Sequence, residues 1–448
     1  MSSPPQMNNS VESRWRATFR ALKHRNFQLF FSGQLISLIG TWMQVIAESW
    51  LVYRLTGSAV LLGSIGFAGQ IPVFLIAPIG GAVADRISRR KVVVATQASA
   101  MVLALTYAGL TLTHRIQVWE IFVLASLLGV VNAFDIPGRQ AFMVEMVGRE
   151  DLMNAIALNS SMFNGARIVG PAIAGMLIAK IGEGWCFFGN GVSYVAVITG
   201  LLMMKLPKFD RKRATGSQTE HIVQGFRFVK QNAPIRDILL LLGVVSLVAM
   251  PYAVLMPIFA DRILHGGARG LGILMGATGV GALLAALTLA TRSGLRGLGK
   301  FIGVAAVGFG LSLIAFSQSK VLWLSVVLLI PVGYGMMLQM ASSNTLIQAM
   351  VPDELRGRVL AVYTMMFMGM APLGSLFAGL VAHHLGAPWT LSIGGLAAVT
   401  AGCLFLTRLK EFRVGARQLV MAQGLSGGAP PQQIIPDGAA APPFSGED

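Results

Sequence analysis

Charged residues are scarce in this chain. They make up 12% of its 448 residues, against 54% apolar ones, where a soluble domain carries about a quarter. That excludes a water-facing globular surface and predicts a polytopic membrane protein. Cysteine is nearly absent: Cys186 and Cys403 show no Cys-x-x-Cys spacing, and the spans assigned below put them near opposite faces of a hydrocarbon core about 30 Å thick. A disulfide needs Cα atoms within roughly 7 Å, so none is expected. The six histidines are scattered without a His-x-x-x-His pair. His383-His384 lacks a third ligand, so no metal and no other cofactor is expected. A lipid-directed enzyme would need a clustered nucleophile, base or metal, and the sequence has no such cluster. It also has no Gly-x-x-x-x-Gly-Lys-Ser/Thr phosphate loop, so nucleotide hydrolysis is not the expected energy source.

Acids number 19 against 35 Lys and Arg, a net charge of +16. In a membrane protein such an excess collects on cytoplasmic loops and meets anionic headgroups, so no nucleic-acid partner is expected. The start, Met1 to Ser10, is polar, and the first apolar segment is long and has no cleavage site. A removable signal peptide is therefore not expected.

Runs of about 20 apolar residues can each cross the bilayer as a helix, which satisfies its own backbone hydrogen bonds in lipid. Such runs fall near 27–52, 58–83, 91–112, 118–138, 156–180, 185–206, 236–260, 270–291, 300–318, 321–344, 357–383 and 388–408. Twelve spans divide the chain into an N-terminal segment 1–26, a six-helix bundle 27–206, a linker 207–235, a second six-helix bundle 236–409 and a tail 410–448. With the N-terminus inside, 28 of the Lys and Arg fall on inner loops and 6 on outer ones; Arg167 lies within a span. That bias predicts cytoplasmic termini. The linker carries an amphipathic run, Ile222 to Val229, expected at the membrane surface. The Gly, Pro, Gln and Ala composition after Arg417 predicts disorder over 418–448.

The halves repeat. A shift of 204 residues aligns Gly170 with Gly374, Ala174 with Ala378, Gly175 with Gly379, Gly182 with Gly386 and Trp185 with Trp389. Parallel repeats of this kind are typical of transporters that rock two bundles about a site at the bilayer midplane.

Between the second and third spans lies Gly80-Gly81-Ala82-Val83-Ala84-Asp85-Arg86-Ile87-Ser88-Arg89-Arg90-Lys91, read as a charged hinge whose glycines allow a tight turn. It resembles the loop signature of the major facilitator superfamily at Gly81, Asp85, Arg86, Arg89 and Arg90, and departs from it at Ser88, where Gly is usual. The resemblance extends from Asn26 to Leu409. It implies an all-α fold of two six-helix bundles and a charge latch that joins this loop to an acid on the fourth span, here Asp135. The alternative is a topological anchor only. On the fifth span, Gly170-Pro171-Ala172-Ile173-Ala174-Gly175 resembles the Gly-Pro-x-x-Gly-Gly signature of exporters, with Ala174 in place of a Gly. The fourth-span arginine of drug/proton antiporters is replaced by Ala125. The runs Asp135 to Gln140, Asn154 to Ser161 and Arg356-Gly357-Arg358-Val359 are similar to the enterobactin-exporter-like branch.

Gln34, Ser37, Thr41, Gln44 and Glu48 step by 3 and 4 along one face of the first span. A polar stripe ending in a carboxylate is expensive against lipid, so it is expected to face the central cavity. Glu48, the acid deepest within a predicted span, is the candidate for proton or cation handling, or else a structural partner of Arg167. Asn164 and Arg167 share a face of the fifth span; Arg167 reads as a contact for an anionic substrate or as an interhelix tether. Gln339 offers a neutral contact from the second half. Methionines at 336, 337, 340, 365, 366, 368 and 370 suit an adaptable apolar surface, or simple packing. Pro251, Pro257 and Pro372 predict bends.

The expected function is secondary-active export of a small amphipathic molecule, a siderophore-like anion or a drug, with the proton as coupling ion and the protein a monomer. A multidrug antiporter for cationic or neutral drugs and a lipid-handling or non-transporting partner on the same fold are the alternatives.

Overall fold

The computed structural model describes residues 19–206, 218–292 and 294–425; the side chains of Asp85 and of residues 218–222, 424 and 425 lie outside that set. A short 3-10 turn, Arg20–Lys23, leads into the bundle. The first half comprises α1 (Arg25–Thr56), α2 (Ala59–Arg86), α3 (Arg89–Leu112), α4 (Val118–Val147), α5 (Leu152–Ile181) and α6 (Gly184–Met203). A linker helix, α7 (Gln218–Gln231), precedes the second half: α8 (Ala233–Ile263), α9 (Gly267–Ala290), α10 (Leu298–Gln318), α11 (Leu322–Met350), α12 (Asp353–Leu385) and α13 (Ala387–Thr407). A last helix, α14, spans Leu409–Leu425. All except α7 and α14 are long and apolar enough to cross a membrane.

The helices outrun the apolar runs that announce them. α12 begins at Asp353 rather than near 357, and α2 continues to Arg86 rather than ending near 83. Backbone hydrogen bonding does not stop where lipid does, and long basic side chains reach the interface from a helix end. The glycines 80 and 81 consequently lie inside α2, and the turn itself is only Ile87 and Ser88. Gly80 packs against the Ala133 carbonyl of α4, while Gly81 borders open space, so close approach is needed at the first glycine and not the second.

Both halves are packed alike. α1 lies on α5 and α6, α2 on α4, and α3 on α4 and α6; in the second half α8 lies on α12 and α13, α9 on α11, and α10 on α11 and α13. The same pairings at equivalent places are the structural form of the repeat. The halves meet through α2 against α12 and α5 against α9.

The loops fall at two ends: a basic end, where the described chain enters and leaves, and a far end. At the basic end the turn before α1 is pinned to the start of α5, where Asp151 takes 2.8 Å contacts from Arg20 Nε and His24 Nε2. The Ala21 amide donates to Asn154 Oδ1. α7 packs Gly225 on the Arg358 carbonyl of α12, and Arg358 bonds Gln224. One face of the linker helix is therefore held by protein, while Val223 and Phe226 are exposed. The disorder expected beyond Arg417 is corrected for 418–425, where α14 continues. Phe412, Ala416 and Val420 step by four and are buried under the second half, enough apolar area to order the segment. Residues 426–448, 207–217 and 1–18 lie outside the described residues.

Wide turns mark the predicted bends. α8 contains π-helical segments at Val245–Ala249, just before Pro251, and Phe259–Ile263, just after Pro257; α12 has one at Met365–Gly369, before Pro372. Proline supplies no amide hydrogen, and a π turn is one way for a helix to absorb that loss. The Met250 amide reaches back to the Val245 carbonyl at 2.9 Å and Leu264 to Phe259 at 2.9 Å.

Candidate functional site

The far end is shut. A Cβ built on Gly175 of α5 would meet Gly272 Cα of α9 at 3.0 Å and the Ala268 carbonyl at 2.8 Å. On the opposite side of the molecule, a Cβ on Gly63 of α2 would meet Gly379 Cα of α12 at 3.0 Å, and one on Gly379 would meet the Ala59 carbonyl at 2.6 Å. Gly272 rests on the Pro171 carbonyl and Gly63 on the Ser375 carbonyl. Residues 171 and 375 correspond under the 204-residue shift, as do 175 and 379, so the two crossings are one contact made twice. Small residues admit this approach because no side chain separates the backbones. A polar clamp joins the halves beside them: Tyr53 Oη of α1 donates to Asp261 Oδ2 of α8 at 2.8 Å, and Arg262 lies over the Tyr53 ring and donates to the Gly57 carbonyl at 3.3 Å. The exporter-like residues of the fifth span thus split their work. Pro171 and Gly175 form the crossing, and Gly170 seats α5 on Trp42 and Ile39 of α1.

Two cavities follow one another along α2. The deeper, of about 300 Å³, is lined by Glu48 and Ser49 of α1, by Leu62, Ile65, Gly66, Gly69 and Gln70 of α2, and by Ala125, Gly129 and Asn132 of α4. Val254 of α8 and Met275 of α9 close it from the second half. The other, of about 590 Å³, lies toward the basic end between α2 and α12, lined by Val73, Phe74, Ala77 and Pro78 on one side and Glu354, Arg358, Ala361, Met365 and Met368 on the other. Residues 62, 65, 66, 69, 70, 73, 74, 77 and 78 step by three and one, so one face of α2 lines both. Phe74, on the wall of the second, has its ring 2.5 Å from a Cβ built on Gly369 of α12.

Of the polar stripe on α1, only Glu48 reaches a cavity. Gln44 is buried and accepts from Asn190 Nδ2 of α6 at 2.6 Å. Thr41 bonds back to the Ser37 carbonyl at 2.9 Å, and Gln34 is buried with its Oε1 unpartnered among the described residues. The stripe faces α6 rather than the cavity, because a Gln–Asn pair inside a bundle relieves the cost of polarity as well as water does. Asn164 is buried and bonds the Ser160 carbonyl of its own helix at 2.9 Å. Arg167 lies 5.7 Å from the Trp42 ring centre and beside Tyr252 of α8. Among the described residues it has no carboxylate partner, so it is not paired with Glu48. Gln339 is buried within the second half, its Nε2 unpartnered among the described residues, and lines neither cavity.

The loop charges are arranged differently from the expectation. Asp135 is buried and takes Thr96 Oγ1 at 2.8 Å, Gln97 Nε2 at 2.9 Å and Arg139 Nε at 2.6 Å, all within the first half. It is not the partner of the loop arginines here, because α3 side chains already occupy it. Arg89 instead pairs with Glu145, 3.0 Å away on α4, and donates to the Ala141 carbonyl. Arg90 donates to the Leu202 and Met204 carbonyls, which closes the end of α6. Arg86 is exposed; the expected role of the Asp85 side chain lies outside the described residues. Sequence reasoning missed Gln70, Asn132, Glu145 and the Tyr53 clamp. Gln70 had a signal in the α2 stepping; the clamp spans 208 residues and had none.

Twelve spans in two like-packed halves around a cavity that both halves line define a multi-pass membrane transporter of the major facilitator fold, not an enzyme. The crystal structure of the nucleoside transporter NupG superposes with a TM-score of 0.65 at 15% identity, covering 86% of this chain and 98% of that one. The family model described as "Transmembrane secretion effector" matches residues 16–422, and the chain belongs to that family. It is 26% identical to the staphyloferrin A transporter of Staphylococcus aureus, covering 84% of this chain and 94% of that protein. It is 30% identical to the multidrug efflux pump Tap of Mycolicibacterium fortuitum (84% and 95%) and 24% identical to the enterobactin exporter EntS of Citrobacter koseri (89% and 95%).

Proposed function

We propose that this transporter is a secondary-active exporter of small amphipathic molecules, working by alternating access in the cytoplasmic membrane as a monomer. The observation that carries the reading is the asymmetry of the cavity: two halves sealed at the far end by paired glycine crossings and parted at the basic end. The charge bias supports a cytoplasmic position for that end, and in this reading the structure is the loading state of an exporter. Relatives described as an enterobactin exporter and a multidrug efflux pump support the direction. In this reading the proton gradient drives the cycle, Glu48 handles the proton, and Gln70 and Asn132 contact the substrate. Gln34, Thr41, Gln44, Asn164 and Gln339 set the helix positions around them, and Arg167 tethers α5 to α1 and α8. Gly81, Asp85, Arg86, Arg89 and Arg90 latch the basic end in the opposite state, with Asp135 and Glu145 behind them.

Reconstitution tests it. In proteoliposomes with an acidic lumen, the dye rhodamine 6G is expected to accumulate above protein-free vesicles, and a protonophore is expected to collapse the accumulation. Uptake equal to that of empty vesicles contradicts export, and uptake that survives the protonophore contradicts proton drive.

A further inference from the structure

The notable property of the deeper cavity is its charge. Glu48 is the one charged side chain that lines it among the described residues, and its other polar contributors, Ser49, Gln70 and Asn132, are neutral. No described cation pairs with that carboxylate. Arg167, the basic residue inside a span, is turned to Trp42 and Tyr252, and Arg358 in the outer vestibule is bonded to Gln224 and shares its cavity with Glu354. Read along the α2 face from the basic end, the path starts with one charge of each sign and ends at an uncompensated carboxylate. In a low-dielectric cavity an unpaired charge is costly, and an opposite charge relieves that cost.

Resting on the exporter reading, we infer that the deep cavity is a recognition site for a lipophilic monocation, with Glu48 as its counter-charge and its apolar body against the Val, Ile, Leu and Gly wall of α1 and α2. An anion placed there meets a carboxylate with no cation to offset it. The cavity has no aromatic lining residue, so cation–π attraction contributes nothing, and charge selection falls on Glu48 alone. Phe74, seated on Gly369, lines the vestibule one turn of α2 from Gln70 of this site and offers the apolar body a first stop.

The test uses two ions of the same shape and opposite charge, tetraphenylphosphonium and tetraphenylborate, bound at pH 8 to the full chain in detergent micelles with no gradient present. The expected result is at least tenfold tighter binding of the phosphonium. Glu48→Gln is expected to weaken phosphonium binding at least tenfold and leave borate binding equal or tighter, while Glu48→Asp keeps the cation preference. Wild-type protein that binds borate as tightly as phosphonium overturns the inference, as does a monodisperse Glu48→Gln protein with phosphonium affinity within twofold of wild type. Proteoliposomes separate this from the exporter reading. An anionic dye carried as fast as a cationic one ends the cation assignment alone, whereas no movement of cationic, neutral or anionic dye ends the exporter reading.

Discussion

Asp151 fixes the chain's entry into the bundle by accepting His24 and Arg20 at once. The His24 hydrogen bond, helped by the Arg20 charge, holds its carboxyl below the usual carboxylate range. A carboxylate whose folded value is depressed contributes stability above its unfolded value, about 3.9, and loses that contribution as pH falls through the folded value. The docked turn is therefore expected to be intact at neutral pH and to loosen below about pH 4. Hydrogen exchange at Ala21, corrected for intrinsic rate, is expected to accelerate across that window in the wild type. In Asp151→Asn it is expected to be fast at every pH. At this scale the sequence was least legible. Glu48 was readable because an isolated acid within a span is expensive wherever it points, but Gln44 was not, because a glutamine is equally at home in a cavity or paired with Asn190 inside the bundle. The partners of Asp135 in this state were hidden for a related reason: Arg89 and Thr96 lie two turns apart on one face of α3, so which of them it meets depends on how far α3 sits along its axis against α4, and spacing does not encode that.

Among the elements, α5 and α2 do corresponding work. Each crosses a helix of the other half through a glycine, and a methyl group on either meets backbone, which has no rotamer to yield. Overpacking of this kind costs about 1–3 kcal/mol, so Gly175→Ala is expected to shift the balance away from the far-closed state by roughly one to two orders of magnitude. Membrane-impermeant maleimide applied from the far side should then label a cysteine at position 49 several-fold faster than in the glycine parent; equal rates contradict the assignment of this crossing as the closing contact. The elements themselves were legible almost throughout, since lipid leaves an apolar segment little choice but helix. Their ends were not, because the helices run on past the apolar stretch into residues such as Asp353 and Arg86.

For the molecule as a whole, the exporter reading has two like halves, joined by one described linker helix, move as two bodies. Joining them at a crossing should stop the cycle while leaving the cavity intact. With Cys186 and Cys403 replaced by serine, cysteines at positions 66 and 375, one turn along α2 from the crossing of Gly63 and Gly379, stand close enough to bridge, since a Cβ built on Gly66 lies 3.3 Å from the Ser375 Cβ and meets no backbone of the other half. Oxidation is expected to reduce dye transport to the level of empty vesicles, reduction to restore it, and phosphonium binding to remain. Transport that continues in the oxidised protein contradicts a far end that must open. The division into halves was legible from the 204-residue repeat; which end is shut was not, because the same sequence must support both states.

In the exporter reading, and for as long as the far end stays shut, the two crossings are the pivot about which the basic end opens. They lie near the far ends of α2 and α5, so the remainder of each helix is a lever arm. From Gly63 to Arg86, α2 climbs roughly 35 Å at 1.5 Å per residue, and each degree of rotation about the crossings carries its basic end through roughly 0.6 Å. A few degrees at a contact made of bare backbone thus become several ångströms of travel at the mouth of the vestibule.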